Sequence, residues 1–169
     1  MINYTISYNN PHRHYVDFEL STSTNGKESM QFQLAAWRPG RYELADFAQN
    51  IQKWGAFDEN NKPLPFKKIT KDLWEVETKN VMEVTIVYNF YANHLDAGSC
   101  YLDEHQLYLN PVHCMFYIVD RMEEEYKIEL NIPKNYKIAS SMRQEGNTLT
   151  AKGYNALSES PIICSDSLQ

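Results

Sequence analysis

Hydrophobic and polar residues alternate with a period of two along most of this chain. In INYTISY, Ile2, Tyr4 and Ile6 alternate with polar neighbours. In YVDFEL, Tyr15 and Val16 open the run, then Phe18 and Leu20 fall on one side and Asp17 and Glu19 on the other. In MQFQLAA, Met30, Phe32 and Leu34 oppose Gln31 and Gln33. Successive side chains of a strand point to opposite faces, so each run predicts a half-buried β-strand. Between the last two stands Thr24-Asn25-Gly26-Lys27. Asn and Gly both tolerate positive φ, so this turn predicts a tight hairpin joining its flanking runs.

The pattern continues with other turns. Lys53 to Asp58 leads into ENNKP, then LPFKKI and LWEVET. VMEVTIVYNFYA, residues 81–92, is the longest strand candidate, with Val84, Ile86, Tyr88 and Phe90 on one face. QLYLN, CMFYIVD, YKIELNI, YKIASSM and TLTAKGY extend the series, and Glu145-Gly146-Asn147 is another tight turn. About ten to twelve short strands at this spacing predict an all-β fold, a β-sandwich or stacked antiparallel sheets. One segment departs from the period. Leu44, Phe47, Ala48 and Ile51 fall at i, i+3, i+4 and i+7, which predicts a short helical segment near 44–51. The closing SESPIICSDSLQ reads as a strand leaving the domain. Residues 1–160 are therefore expected to form the domain and 161–169 to begin a connection onward.

Length and composition agree with one domain. A chain of 169 residues buries a substantial core without help from disulfides or metals. The 12 Tyr, 7 Phe and 3 Trp favour pleated, half-buried surfaces. With 16 basic against 22 acidic residues the net charge is −6, and no Lys/Arg stripe is present. Nucleic acid and anionic membranes are poor partners for such a surface. Cys100, Cys114 and Cys164 form no C-x-x-C pair, so buried free thiols in a reducing compartment are expected. No signal peptide and no apolar run of about 18 residues is visible, and the expected location is cytoplasmic.

Complete catalytic motifs are missing from the sequence: there is no H-E-x-x-H, P-loop, G-x-G-x-x-G or G-x-S-x-G. His12 and His14, at i and i+2, would share a strand face, but zinc needs at least a third ligand. Cys114 beside His113, and Cys100 near His105, leave a small cysteine hydrolase as one alternative. A stand-alone β-sandwich module binding carbohydrate or peptide, with Trp54 or Tyr101 as its platform, is another. YLDEHQLYLNP, residues 101–111, gathers Asp103, Glu104, His105, Tyr108 and Asn110 in one loop region. Loops on rigid scaffolds commonly carry binding groups. In WRPGRY, Pro39 fixes φ and Gly40 permits a sharp bend across which Trp37 and Tyr42 can pack. These four residues read as a structural corner.

LAAWRPGRYELADFAQNI resembles the L-P-x-W-x-P-G-S-Y-x-I-R-D-F-A-R-x-V segment in the N-terminal β domain of the glycyl aminopeptidase family of zinc metallopeptidases. YTISYNNPHRHYVDFEL, LWEVE, VTIVYNFYA, YLDEHQLYLNP, IPKNYKIASSM and YNALSESPI are similar, in order, to further segments of that domain. Ala36, Arg41, Asn135 and Glu159 depart from the family pattern. The resemblance implies a thermolysin-like parent: an N-terminal β domain, a helical catalytic domain carrying H-E-x-x-H and a downstream glutamate, and often a PDZ domain. It implies that this chain stops before the catalytic domain, with zinc in the parent and no cofactor, catalytic residue or metal ligand here. The partners it implies are the catalytic domain of the same polypeptide and a peptide substrate. In related enzymes a loop of the β domain holds the substrate's free α-amino group. An ammonium offers only donors, so acceptors are needed. Asp103, Glu104 and Asn110 are the candidates.

Overall fold

The computed structural model describes residues 1–38, 40, 43–96 and 98–168. Ile2–Ser7 forms β1 and Tyr15–Ser23 forms β2, with a 3-10 turn at Pro11–Arg13 between them. Then come β3 (Ser29–Gln33), β4 (Ile51–Asp58), β5 (Phe66–Thr70), β6 (Leu73–Glu77) and β7 (Glu83–Tyr91). β8 (Tyr101–Leu102) and β9 (Gln106–Leu109) precede a short helix α1 (Pro111–Cys114) and β10 (Tyr117–Ile118). β11 (Tyr126–Leu130), β12 (Lys137–Ala139), β13 (Arg143–Glu145), β14 (Thr148–Ala151), α2 (Tyr154–Ser158) and β15 (Ile162–Ser165) complete the chain. No helix among the described residues is long and apolar enough to cross a membrane.

The fold is all-β. Seven strands form a large sheet in the order β13-β14-β11-β1-β2-β7-β4. Two four-stranded sheets, β10-β3-β6-β5 and β12-β15-β9-β8, accompany it. Each named strand pairing is antiparallel except β1 with β11, where Ile2 faces Tyr126 in parallel register. The alternation does what it predicts: Ile2, Tyr4 and Ile6, then Val16, Phe18 and Leu20, then Val84, Ile86, Tyr88 and Phe90 are all buried on one face.

Three local expectations change. The Asn25-Gly26 turn forms with φ of 53° and 76°, yet its two runs are not paired with each other. β2 pairs with β1 and β7 in the large sheet, while β3 pairs with β6 and β10 in another. The turn carries the chain between layers, beside the return crossing from β6 to β7. Thr24 Oγ1 donates to the Val81 carbonyl at 2.5 Å and Thr78 Oγ1 to the Lys27 carbonyl at 2.6 Å, which ties the crossings together. The helical segment near 44–51 is a single 3-10 turn at Phe47–Asn50. Leu44 lies outside it, 84% exposed, and Ile51 already belongs to β4, so the apolar stripe is not one buried helix face. Finally, β15 lies between β12 and β9, with Ile162 and Cys164 buried, so this part of the closing segment is built into a sheet.

Buried tyrosines have a specific task in the core. The chain leaves α1 through the interior, with Cys114, Met115 and Phe116 all fully buried. Its backbone polar groups would be costly there without partners. Tyrosine hydroxyls supply them: Tyr88 donates to the Cys114 carbonyl at 2.6 Å, Tyr154 to the Met115 carbonyl at 3.3 Å, and the Phe116 amide donates to Tyr4 Oη at 2.8 Å. Burial holds the Tyr4, Tyr88 and Tyr154 hydroxyls well above the ordinary phenol range, so they stay protonated. The Phe116 ring packs edge-on against Trp74 and Tyr88, with centroids 5.2 and 4.9 Å away. Burying such a ring contributes roughly 1.5–3 kcal/mol. This clamp fixes the end of α1, and α1 fixes Asn110.

Candidate functional site

Asn110 stands at the N-terminus of α1 with extended backbone, and Pro111 follows at the first helical position, where a missing N–H costs nothing. It is 7% exposed. Its peptide is gripped by two thiols: the Asn110 amide donates to Cys100 Sγ at 3.4 Å, and Cys114 Sγ donates to the Asn110 carbonyl at 3.4 Å. The same carbonyl accepts the His113 amide at 2.9 Å. The Asn110 side chain does not cap the helix; its Nδ2 lies 3.5 Å from Tyr108 Oη.

His113 is buried, and its ring stacks on Phe47 with centroids 3.9 Å apart. This stack joins α1 to the 3-10 turn Phe47–Asn50 and forms one wall of an open cavity of about 370 Å³. Cys100 also lines the cavity, so the backbone of Asn110 lies directly behind its surface. Polar groups dominate the rest, among them Asp46, Gln49, Asn50, Asn93, His94 and Asp96. Asp96 closes its own turn by accepting from the Gly98 amide at 2.7 Å and Ser99 Oγ at 2.9 Å. The other Asp96 oxygen is 3.4 Å from His94 Nε2. A smaller cavity, lined by Arg38, Glu43, Leu44, Ala45, Phe47 and His113, adjoins it. The Arg38 guanidinium lies against Gly98, in the space a Cβ would fill, which only glycine leaves open. Burial raises the Tyr108 hydroxyl, with the nearby Arg38 acting against the shift. The arrangement offers oxygen acceptors and carboxylates at one end of the sandwich, a surface suited to a cationic donor.

The three sequence candidates do not come together. Asp103 caps the β8–β9 turn, accepting the His105 and Gln106 amides at 2.8 and 2.9 Å. Glu104 is exposed at the same tip, 3.5 Å from His12 Nε2 and 3.4 Å from His105 Nε2. Asn110 lies beyond the other end of β9. Of the corner residues, Trp37 is 53% exposed and Gly40 has φ of 87°; Pro39 and Tyr42 lie outside the described residues. His113, Phe47 and Arg38 were not singled out for this cavity, because no local spacing reports a ring stack between distant segments.

The alternatives meet physical obstacles. Cys100 and Cys114 are buried, and burial together with Cys100 pushes the Cys114 thiol well up, the opposite of an activated nucleophile. His12 belongs to a 3-10 turn and His14 has left-handed backbone, so they share no strand face. Among the described residues no group of three or more His, Cys, Asp or Glu stands together to hold a metal ion. Trp54 is half-buried and packed against the core, stacked on Trp74 at 5.5 Å and tilted against Phe66 at 4.7 Å, so it is not a free platform.

The family model of the peptidase M61 N-terminal domain matches residues 3–166. The chain belongs to this family. Among solved structures, an aminopeptidase N family protein from Idiomarina loihiensis matches 98% of the chain at 28% identity with a TM-score of 0.90. This chain spans 29% of that protein. An M1 zinc metallopeptidase E323A mutant from Deinococcus radiodurans, bound to a Tyr-Ser-Ala substrate, shares the fold at 10% identity with a TM-score of 0.52. There the match spans 97% of this chain and 41% of the other. No curated protein gives a significant match. The M61 N-terminal domain described here accounts for under a third of the Idiomarina loihiensis chain.

Proposed function

We propose that this M61 domain flanks the active-site cleft of a zinc-dependent aminopeptidase and helps position the peptide N-terminus. Zinc and the catalytic residues belong to another part of the parent polypeptide. The observation that carries the reading is the family match over residues 3–166 in a chain spanning 29% of its relative. The cavity beside Asn110 supports the positioning role, since its oxygens are acceptors of the type an α-ammonium requires. Of the three candidate ligands Asn110 is the one this reading favours, because its amide is bonded to Cys100, which lines that cavity. Asp103 and Glu104, at the tip of the β8–β9 turn, would contact the substrate only from its periphery. Three free, buried thiols fit a reducing cytoplasm.

The test is made on the parent polypeptide and on residues 1–169 in parallel. The parent should bind zinc stoichiometrically and release N-terminal residues from peptides, and residues 1–169 alone should do neither. A parent that carries no zinc and leaves peptides intact would end this reading.

A further inference from the structure

The open face of the large sheet carries Thr5, Ser7, Asp17, Glu19, Lys53 and Asn89 around a shallow groove whose apolar lining, Phe57 and Val87 among it, is only partly exposed. One end differs. Trp37, Leu44, Tyr91 and Leu95 are exposed there by 53, 84, 40 and 65%. Leu44 lines the smaller of the two adjoining cavities and Tyr91 the larger, while Leu95 stands in the chain between His94 and Asp96, both of which line the larger. Trp37 precedes Arg38, which reaches across to Gly98 and so bridges the two loops that carry the patch. The cavities share Ala45, Phe47 and His113, making the surface continuous. Other exposed apolar residues are scattered: Met1 at the terminus, Met82 in a crossing, and Phe66 and Ile69 flanking Lys67 and Lys68 on β5, an edge strand.

Aromatic and aliphatic anchors around a polar centre are the composition of an interface core, and contiguous exposed apolar groups mark such surfaces. The share of the relatives' chains that lies outside this domain argues for one occupant. The chain spans 29% of the Idiomarina loihiensis relative and 41% of the Deinococcus radiodurans one, so more than half of either polypeptide remains to pack against it. We propose that the Trp37, Leu44, Tyr91 and Leu95 surface is where the catalytic domain of the same polypeptide docks, leaving the polar cavity as a wall of the cleft between them. This rests on the proposed function and adds the face that turns inward.

Hydroxyl-radical footprinting tests it on the parent polypeptide and on residues 1–169. Trp37, Leu44, Tyr91 and Leu95 should be oxidised several-fold more slowly in the parent, while Val87 and Phe57 on the open sheet face keep equal rates. Equal rates at the four residues, or protection of the sheet face instead, overturn the docking surface. If the parent is an active zinc aminopeptidase in that case, only the docking surface falls and the proposed function stands. A second copy as occupant would appear as protection in residues 1–169 that grows with concentration and is abolished by Leu44→Asp, and this too overturns the proposal.

Discussion

Replacing Arg121 by methionine should expose the strongest electrostatic clamp in the domain. Arg121 is 7% exposed, and its guanidinium is fully engaged. Nε donates to Glu124 Oε1 at 2.5 Å, Nη2 to Glu124 Oε2 and to Thr22 Oγ1 at 2.7 Å each, and Nη1 to the Ser23 carbonyl at 2.8 Å. It thus ties the end of β2 to the turn that enters β11. Hydrogen bonds from Arg121, aided by the N-terminal ammonium, pull the Glu124 carboxyl from its ordinary 4.5 down to about 2. At 1.36 kcal/mol per unit this is an upper value of about 3 kcal/mol of coupling. Glu124 is 30% exposed and part of the shift belongs to the terminus, which reduces the arginine's share to about 2 kcal/mol. Methionine retains the apolar stem, so Arg121→Met should cost about 2–3 kcal/mol at pH 7, including the orphaned Ser23 carbonyl. The folded-state value of Glu124 lies below its unfolded value. Its stabilisation is therefore complete above pH 4.5 and is lost as pH falls toward 2. Urea unfolding of both proteins at several pH values would show the difference between them shrinking to less than half by pH 3. A difference below about 0.5 kcal/mol at pH 7, or one that does not change with pH, would refute this reasoning.

Other outcomes follow from the core and the turns. Burial pushes the Cys164 thiol up to about 12 and raises Cys114 as well, so native protein at pH 8 should react with iodoacetamide on the order of 100-fold slower than a free thiol. One cysteine labelled at the free rate would contradict this and reopen the nucleophile reading. Tyr88→Phe removes the 2.6 Å donor to the buried Cys114 carbonyl and should cost about 1–3 kcal/mol by chemical denaturation; a neutral substitution would show that the clamp is dispensable. Gly26→Ala forces a side chain onto φ of 76° in the crossing between sheets. It should cost about 1–2 kcal/mol. An unchanged melting temperature would mean that the turn relaxes freely.

The strands were legible because period-two alternation and burial are the same fact seen twice: Phe18 faces inward for the reason that Asp17 does not. Partnership was less legible. Asn25-Gly26 specifies a local backbone, and nothing in four residues says whether the flanking strands pair or part. The layer change depends on Thr24 and Thr78 meeting carbonyls 57 and 51 residues away. The parallel pairing of β1 with β11 is equally nonlocal. At the site, Asp103, Glu104 and Asn110 stood out together as acceptors in one stretch, and spacing along the chain does not report that β9 separates Asn110 from the other two. The Phe47 and His113 stack, which shapes the cavity, leaves no trace in local spacing. The Leu44 stripe misled because helical periodicity in four apolar residues was outweighed by the start of β4 at Ile51.

The most direct measurement on the central claim is kinetic. The parent polypeptide and its Asn110→Ala variant would be assayed on one short peptide with a free N-terminus and on its N-acetylated twin, with melting temperatures taken alongside. The account predicts that the parent prefers the free amine, and that Asn110→Ala raises KM about tenfold for that substrate while the acetylated twin is handled as before. Tenfold corresponds to about 1.4 kcal/mol, the scale of one hydrogen bond to a charged group. An unchanged KM, or an equal loss on both peptides, would contradict a role for this domain in holding the peptide N-terminus.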